Sequence, residues 1–590
     1  MVLHSMIVAP EIFSKKWNLL FNMTRKQLYF IIALLLFTTI SGCASVLSAA
    51  QSAAPSEDKY SADAVYHYSL AVLLRQEGKL EDATSELEQA IIADSNSLFL
   101  ATELVSLYVE KEDFKKAIPL GEATLAKNSN NGELHMIMAG LYLHLREYKK
   151  AISEYNQVIE QTPKNLIAYL YLATIYAEEK NYGKAEETFK KMLQIAPENI
   201  MGIYYYGKVL AEMNRFEDAE KMYKKAISLR PDFESAVYDL ATLYEKQKKL
   251  DRAIRVYSDY LLINPARISL RAKIAELLIK DKKFEQAQKE YQEILNSDPD
   301  NREIRIALAL LYYEMRQFDS AIAEFSAVLK KDEDDSRIRY LLASAYEEKG
   351  EKEKAIAEYQ RIPASFELYA NAQIHAALIF KKDGKIPEAI GVIKEAVKKK
   401  GDQPLLYLYL SSLYEENKEM GGAENILREG INILPKSVDL HYAVGVIYEK
   451  TNRFPESLKA MAYVLSIDPE NAEALNFIGY SYADRGINLD EAEKMIVKAL
   501  KIKPDSGYMI DSLGWVYFKQ NKLDSALANL KKAMALLPDD PNVIEHLGDV
   551  YAKMGKLKEA REMYNRAFKI DPKNSSLQKK IEDATKKNSK

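Results

Sequence analysis

A period of 34 residues runs through most of the chain. It is marked by an alanine, from Ala83 through Ala117 and Ala151 to Ala423, with Ser457 in the twelfth place. One inserted residue follows, and the period then resumes at Ala492, Ala526 and Ala560, which makes fifteen copies. No other feature constrains the fold as strongly. Cut by length alone, 590 residues would be about four domains. A chain with so short a period grows by stacking its copies and needs no single large core.

Each copy has the same internal layout. Twelve residues before the marker sits a small residue in fourteen copies, such as Ala71, Gly207 and Gly548; Val105 is the exception. Three residues further on comes a Tyr in eleven copies, such as Tyr108, Tyr142 and Tyr551. Apolar residues recur at helical spacing on both sides, as in Ile203, Tyr206 and Leu210, then Ala219, Tyr223 and Ala226. Each copy therefore reads as two amphipathic helices that cross closely at the small residues. A Pro twelve residues after the marker ends the second helix in ten copies, from Pro163 to Pro572, because it lacks an N–H and crowds the preceding turn. Asp or Asn often follows, as at Asp232, Asp300 and Asn471, and can cap the next helix.

This layout resembles the tetratricopeptide repeat, over residues 64–574. The resemblance implies an all-α fold, a right-handed α-solenoid superhelix of about fifteen helix-turn-helix repeats. The departures are mild. The family's Trp is absent from its slot, and Trp515 sits five residues past it. The Pro is missing from the first two copies and from copies eight to ten, around Glu333, Glu367 and Gly401. Copies nine and ten read loosely, so a softer joint or irregular packing is expected near 360–403. Residues 575–590 read as a capping helix with a basic tail.

The rest of the composition narrows the partners. At 48% hydrophobic and 28% charged, the chain is globular over most of its length. The net charge is −4 overall, while residues 1–42 carry Lys15, Lys16, Arg25 and Lys26 against Glu11 alone. The body is thus acidic, which argues against nucleic acid, since that needs a basic stripe. With a single cysteine, Cys43, the chain can form no internal disulfide and no cysteine-built metal site.

Residues 1–42 have a signal peptide's layout, and Met23 offers a second start. A basic Arg25-Lys26 is followed by a 13-residue apolar run, Leu28 to Ile40, too short for the roughly 20 residues a bilayer-crossing helix needs. The run ends Ile40-Ser41-Gly42-Cys43, which resembles the bacterial lipobox. That resemblance implies cleavage between Gly42 and Cys43 and lipidation of Cys43. Residues 43–63 then hold the lipidated cysteine and a small, polar tether. Ala44 in place of Asp implies, for enteric-type Gram-negative hosts, the outer membrane, facing the periplasm.

No catalytic signature appears: no Gly-rich phosphate loop, zinc helix or nucleophile elbow. The seven histidines are scattered, although His67, His135 and His441 share one repeat position. No enzyme activity, metal, cofactor or small-molecule substrate is expected. In the resembled family the first helices line a concave face, and their positions 2, 5, 9 and 12 look inward. Carried over, this register names Tyr204 and Lys208 in repeat five and Tyr238 in repeat six. It names Asn476 and Tyr480 in repeat thirteen, and Tyr508, Asp511 and Trp515 in repeat fourteen. Trp515 is either a binding anchor or packed against a neighbouring helix. Similarity of the stretches Leu475–Gly486, Asp511–Trp515 and His546–Asp549 to bacterial envelope lipoproteins adds to the envelope reading. The expectation is a lipid-anchored scaffold for other proteins or peptide segments, aiding assembly or export of an envelope complex for polysaccharide, pilus or outer-membrane protein. The alternatives are a non-catalytic subunit of an envelope enzyme such as a glycosyltransferase, and a soluble cytoplasmic adaptor.

Overall fold

The structure, a computed structural model, describes residues 61–587. The signal peptide, Gly42, Cys43 and the tether up to residue 60 lie outside them. Among the described residues there are 31 helices and no strand. None of these helices is long and apolar enough to cross a membrane. The helices form two compact units, one ending at Lys246 and the other beginning at Gln247.

Within a repeat, the two helices form a hairpin closed by a left-handed residue. In repeat three, the first helix is Gly132–His144 and the second Tyr148–Gln161. Arg146 between them has φ 59°. Its N–H donates to Leu143 O, and the Glu147 N–H donates to Tyr142 O, at 3.0 and 2.8 Å. These two bonds are those of the Schellman motif. The same left-handed position recurs in every repeat, from Gly78 to Gly555. Only Gly78, Gly350, Gly384, Gly486 and Gly555 are glycines; elsewhere Lys, Arg, Glu or Asn takes the strained conformation. In repeat thirteen the extra residue falls in this turn: Gly486 is left-handed, and so is Asn488, just before the helix Leu489–Ile502.

Between repeats the proline acts through its predecessor. Thr162, before Pro163, leaves the helical region at φ −130° and ψ 80° and ends the second helix of repeat three. The next helix is capped two residues after the Pro, not one. Asn165 accepts from the Ala168 N–H, Asn301 from Ile304 and Asn471 from Ala474. Asp300, read from the sequence as a cap, instead lies in the turn and pairs with Lys331. A two-residue turn needs its oxygen at the residue that enters the helix, so the cap falls on Asn301.

The packing explains the sequence marker. The marker side chain is fully buried in each of the fifteen repeats. Ser457 fits because its hydroxyl donates to Gly445 O, in the small slot of the same repeat, at 2.8 Å. A Cβ on Gly548 would stand 2.6 Å from Tyr564 Cε1, so that ring would have to shift to accept a side chain there. The shared position of His67, His135 and His441 is a clamp inside the repeat, and Arg271, Arg305 and Arg339 occupy it too. Arg305 donates to Glu324 (2.5 Å) on the second helix and to Pro299 O (2.6 Å) in the preceding turn. His135 contacts Glu154 (2.5 Å) and Ser129 O (3.0 Å) in the same way.

Repeat nine is irregular, as its sequence suggests. Its second helix, Lys352–Gln360, is short, and residues 361–368 bridge to Tyr369–Lys382. The space is filled by a partly buried polar group. Tyr359 donates to Glu347 (2.9 Å), His375 Nδ1 lies 3.0 Å from Glu347, and Gln373 donates to Tyr359 O (2.9 Å). Burial pushes the Glu347 carboxyl up, yet the bonds from His375 and Tyr359 outweigh it and hold it below its usual value. The final helix, Ser575–Lys587, covers repeat fifteen with Leu577 and Ala584, and Lys580 bonds Glu545 and Asp549, both at 2.7 Å.

Candidate protein-interaction face

Within each unit, first helices of several successive repeats touch one another directly, as do those of repeats two and three, four and five, or thirteen and fourteen. Their row of first helices carries the side chains of the candidate binding surface. That row differs between early and late repeats.

In repeat five, first helix Ile200–Glu212, Tyr204 is buried rather than open to a ligand. Its hydroxyl donates to Asp239 of the next repeat at 2.9 Å, and its ring meets Phe233 edge-on at 4.9 Å. Burial, then Asp239, pushes its phenol well above the usual range. Lys208 is exposed, with Nζ over the Tyr204 ring at 5.7 Å. Tyr238 is half-buried and already engaged. Of these three sequence-named residues, Lys208 alone is exposed.

In repeats thirteen to fifteen the row holds an aromatic stack. Trp515, on Gly507–Lys519, is only 8% exposed. It lies between Phe518 and His546, with ring centroids 4.9 and 4.1 Å away and planes 16° apart in both cases. His546, on the first helix Pro541–Lys553, donates from Nδ1 to the buried Asp511, 3.0 and 3.1 Å from its two oxygens. Lys519 Nζ stands over the indole at 5.0 Å. Tyr480 is half-buried near the His546 ring, and burial first, then Asp484 and Asp511, pushes its phenol up to about 12. Trp515 Nε1 and Asn476 Oδ1 are buried with no hydrogen-bond partner. Tyr508, 61% exposed, stands free of the stack. Asp511 and Trp515 are therefore part of an internal assembly, and packing against a neighbouring helix is the arrangement found for Trp515. The sequence reading passed over His546 as one scattered histidine. Its place 35 residues after Asp511, one repeat on, was the available signal.

The inward register reaches Met201 in repeat five; extended to the repeats before it, it falls on side chains that the sequence reading did not name. Phe99 in repeat two and Ile167 in repeat four share one repeat position and are 54% and 52% exposed. Val65 and Met201 occupy it in repeats one and five and are exposed too, and Glu133 fills it in repeat three. No group of three or more metal-ligating side chains occurs among the described residues.

Comparison with known proteins agrees with this architecture. A sequence profile described as Tetratricopeptide repeat matches residues 108–176, 143–202, 176–225, 210–277, 278–344, 312–378 and 517–582, together more than half of the chain. A TPR repeat-containing protein of Pseudomonas aeruginosa is 32% identical over 156 residues, 26% of this chain and 26% of that protein. The aspartyl/asparaginyl beta-hydroxylase of Mus musculus is 24% identical over 173 residues, 28% of this chain and 23% of that protein. The chain thus spans about a quarter of the length of these curated relatives. Among solved structures, a chain of the APC/C hetero-tetramer Cut9–Hcn1 is similar at 14% identity and a TM-score of 0.35, covering 81% of this chain and 95% of that one.

Proposed function

The chain belongs to the tetratricopeptide repeat family, and from that premise we propose that it is a non-catalytic scaffold that holds other proteins along its row of first helices. The observation that carries this reading is the exposed apolar set Val65, Phe99, Ile167 and Met201, aligned at one repeat position. Large apolar side chains held in register on a rigid surface are costly to leave in water and mark interaction sites. We place the scaffold in a bacterial envelope, tethered by a lipid on Cys43 and assisting assembly or export of an envelope complex. What supports the location is the Ile40-Ser41-Gly42-Cys43 stretch after a short apolar run.

Two measurements test the reading. Cys43→Ser should move the protein from the membrane to the soluble fraction and abolish fatty-acid labelling; a wild-type protein that never labels overturns the anchor. Crosslinking in cells with mass spectrometry should recover the same few envelope proteins in each replicate. Recovery of none overturns the scaffold.

A further inference from the structure

The two ends of the repeat array are finished differently. In each of repeats two to fifteen, the residues at positions three and ten of the first helix are buried. The second helix of the preceding repeat lies against them. At position three of repeat five, a Cβ on Gly202 would stand 3.1 Å from Met192 Sδ and 3.3 Å from Leu193 Cδ2, both on Tyr182–Ile195 of repeat four. After repeat fifteen, the final helix Ser575–Lys587 puts Leu577 and Ala584 at the same two positions, buried, and leaves Gln578, Lys579, Glu582 and Asp583 exposed. A polar outer face is what a capping element needs.

Repeat one does the reverse. Its first helix, Ala62–Gln76, has no second helix before it among the described residues. Positions three and ten hold Tyr66 and Leu73, 63% and 58% exposed, where Leu100 and Leu107 of repeat two are 5% and 1% exposed. With the exposed Ala62 and Ser69 they make one helix face, at i, i+4, i+7 and i+11. Large apolar side chains open at positions that every other repeat buries mark a surface that something covers.

The chemistry of this face selects what covers it. The exposed charges on the helix and the turn after it are Asp63, Glu77 and Lys79, and Lys79 is bound to Glu77 at 2.8 Å. That net negative charge gives an anionic lipid surface nothing to hold. The C-terminal end of another copy is polar, so head-to-tail joining would set Tyr66 against Gln578 and Lys579. Residues 43–60 bring only Val46, Leu47 and Tyr60 as large apolar side chains. A second copy of the same face fits itself. Laid antiparallel about a two-fold axis near Ser69, each Tyr66 meets the other copy's Leu73, and the small Ser69 lets the helices approach. The helix dipoles then oppose favourably, and Asp63 comes toward the other copy's Lys79.

We propose that the exposed face of Ala62–Gln76 is the interface of a symmetric dimer of this chain, joined by its N-terminal ends. The polar cap at the C-terminal end keeps the assembly closed at two copies. One helix face per copy is smaller than the roughly 800 Å² per partner of a standard interface, so the dimer is a reversible one. Positions three and ten are distinct from positions two and nine of the scaffold reading, and the two stand or fall separately.

The test uses the full chain as made in cells. Two differently tagged copies are co-expressed, and capture of one should recover the other. Tyr66→Lys together with Leu73→Lys should lower that recovery at least about tenfold, with an unchanged circular dichroism melt. Asp63→Lys alone should weaken it, and adding Lys79→Asp should restore it. Ser69→Cys should crosslink copy to copy on oxidation, while Glu217→Cys, on a second helix, should not. No recovery of the wild type, or full recovery of the double lysine variant, overturns the dimer. A charge swap that fails to restore recovery overturns the antiparallel arrangement. A monomeric wild type whose melt falls in the double lysine variant overturns it in favour of the chain's own leading residues. A monomeric wild type that binds anionic vesicles through Tyr66 and Leu73 overturns it in favour of lipid. If the copies do not pair while crosslinks to other proteins persist, the dimer falls and the scaffold stands.

Discussion

The first helices of repeats two to four and those of repeats thirteen to fifteen both leave position two open, at Phe99, Ile167 and Tyr508, and differ at position nine. In the early set, position two carries Phe99 and Ile167, large and open to solvent, and position nine is the bare Gly140. In the late set, position nine is Trp515, and it is covered by His546 from the next repeat while Asp511 holds that histidine in place. One surface is left unfilled; the other is closed by its own neighbours. A register within a repeat thus identifies where a side chain points, and the adjacent repeat decides whether it is available.

Substitutions can break or sharpen this contrast. The largest effect is expected at Trp515→Ala, which leaves a cavity inside the stack and should cost about 3–5 kcal/mol in local stability. Denaturant unfolding read by hydrogen exchange over residues 472–553 would measure it. Tyr508→Ala, seven residues earlier and exposed, should stay within about 0.5 kcal/mol. Equal effects at the two sites would contradict the closed stack.

Next in size is His546→Ala, which strips the buried Asp511 of its partner and should cost about 1–3 kcal/mol. Protection loss confined to repeats thirteen to fifteen is the expected signature, because repeat arrays are coupled mainly to nearest neighbours. In repeat five, Tyr204→Phe removes only the bond to Asp239, and about 1 kcal/mol is expected in the same measurement.

The early repeats should also show an acid-sensitive joint. Glu186 of repeat four is held down to about 2, first by Lys190, against the opposing push of burial, then by Arg215 and Tyr206 of repeat five. A carboxylate lowered on folding contributes stability above its unfolded value of about 4.5, and that stability is lost as pH falls toward 2. Glu186→Gln should flatten the acid limb of a thermal melt measured between those values. A variant whose acid limb matches the wild type would remove Glu186 from the joint.

The smallest effects belong to the hairpin turns and should be alike in kind in both regions. Lys180→Gly relieves a left-handed φ of 60° at the cost of unfolded-state entropy, for a net gain of about 0.5–1 kcal/mol. Asn521→Gly, at φ 62°, should gain less, because Asn tolerates that conformation better. Differential scanning calorimetry of both variants would rank them.

Much of this architecture was legible in the sequence. Ala219, Tyr223 and Pro231 lie at positions whose packing roles follow from a 34-residue period, and helix periodicity is a short-range property. The left-handed turns were not legible, because residues such as Lys180 and Arg316 carry no local sign of that conformation; only the closure of the hairpin imposes it. Nor was the capping role of Asn301 rather than Asp300, which depends on where the helix before Pro299 releases the chain.

The functional surface divides in the same way. Lys208 and Tyr508 are exposed, whereas Tyr204, Asp511 and Trp515 are enclosed by partners on the next repeat, among them Asp239 and His546. The sequence by itself determined the repeat, its helices and which residues face along the row of first helices, since these follow from spacing along one chain segment. Tertiary structure alone decided which of those residues remain open, because burial depends on side chains about 35 positions away.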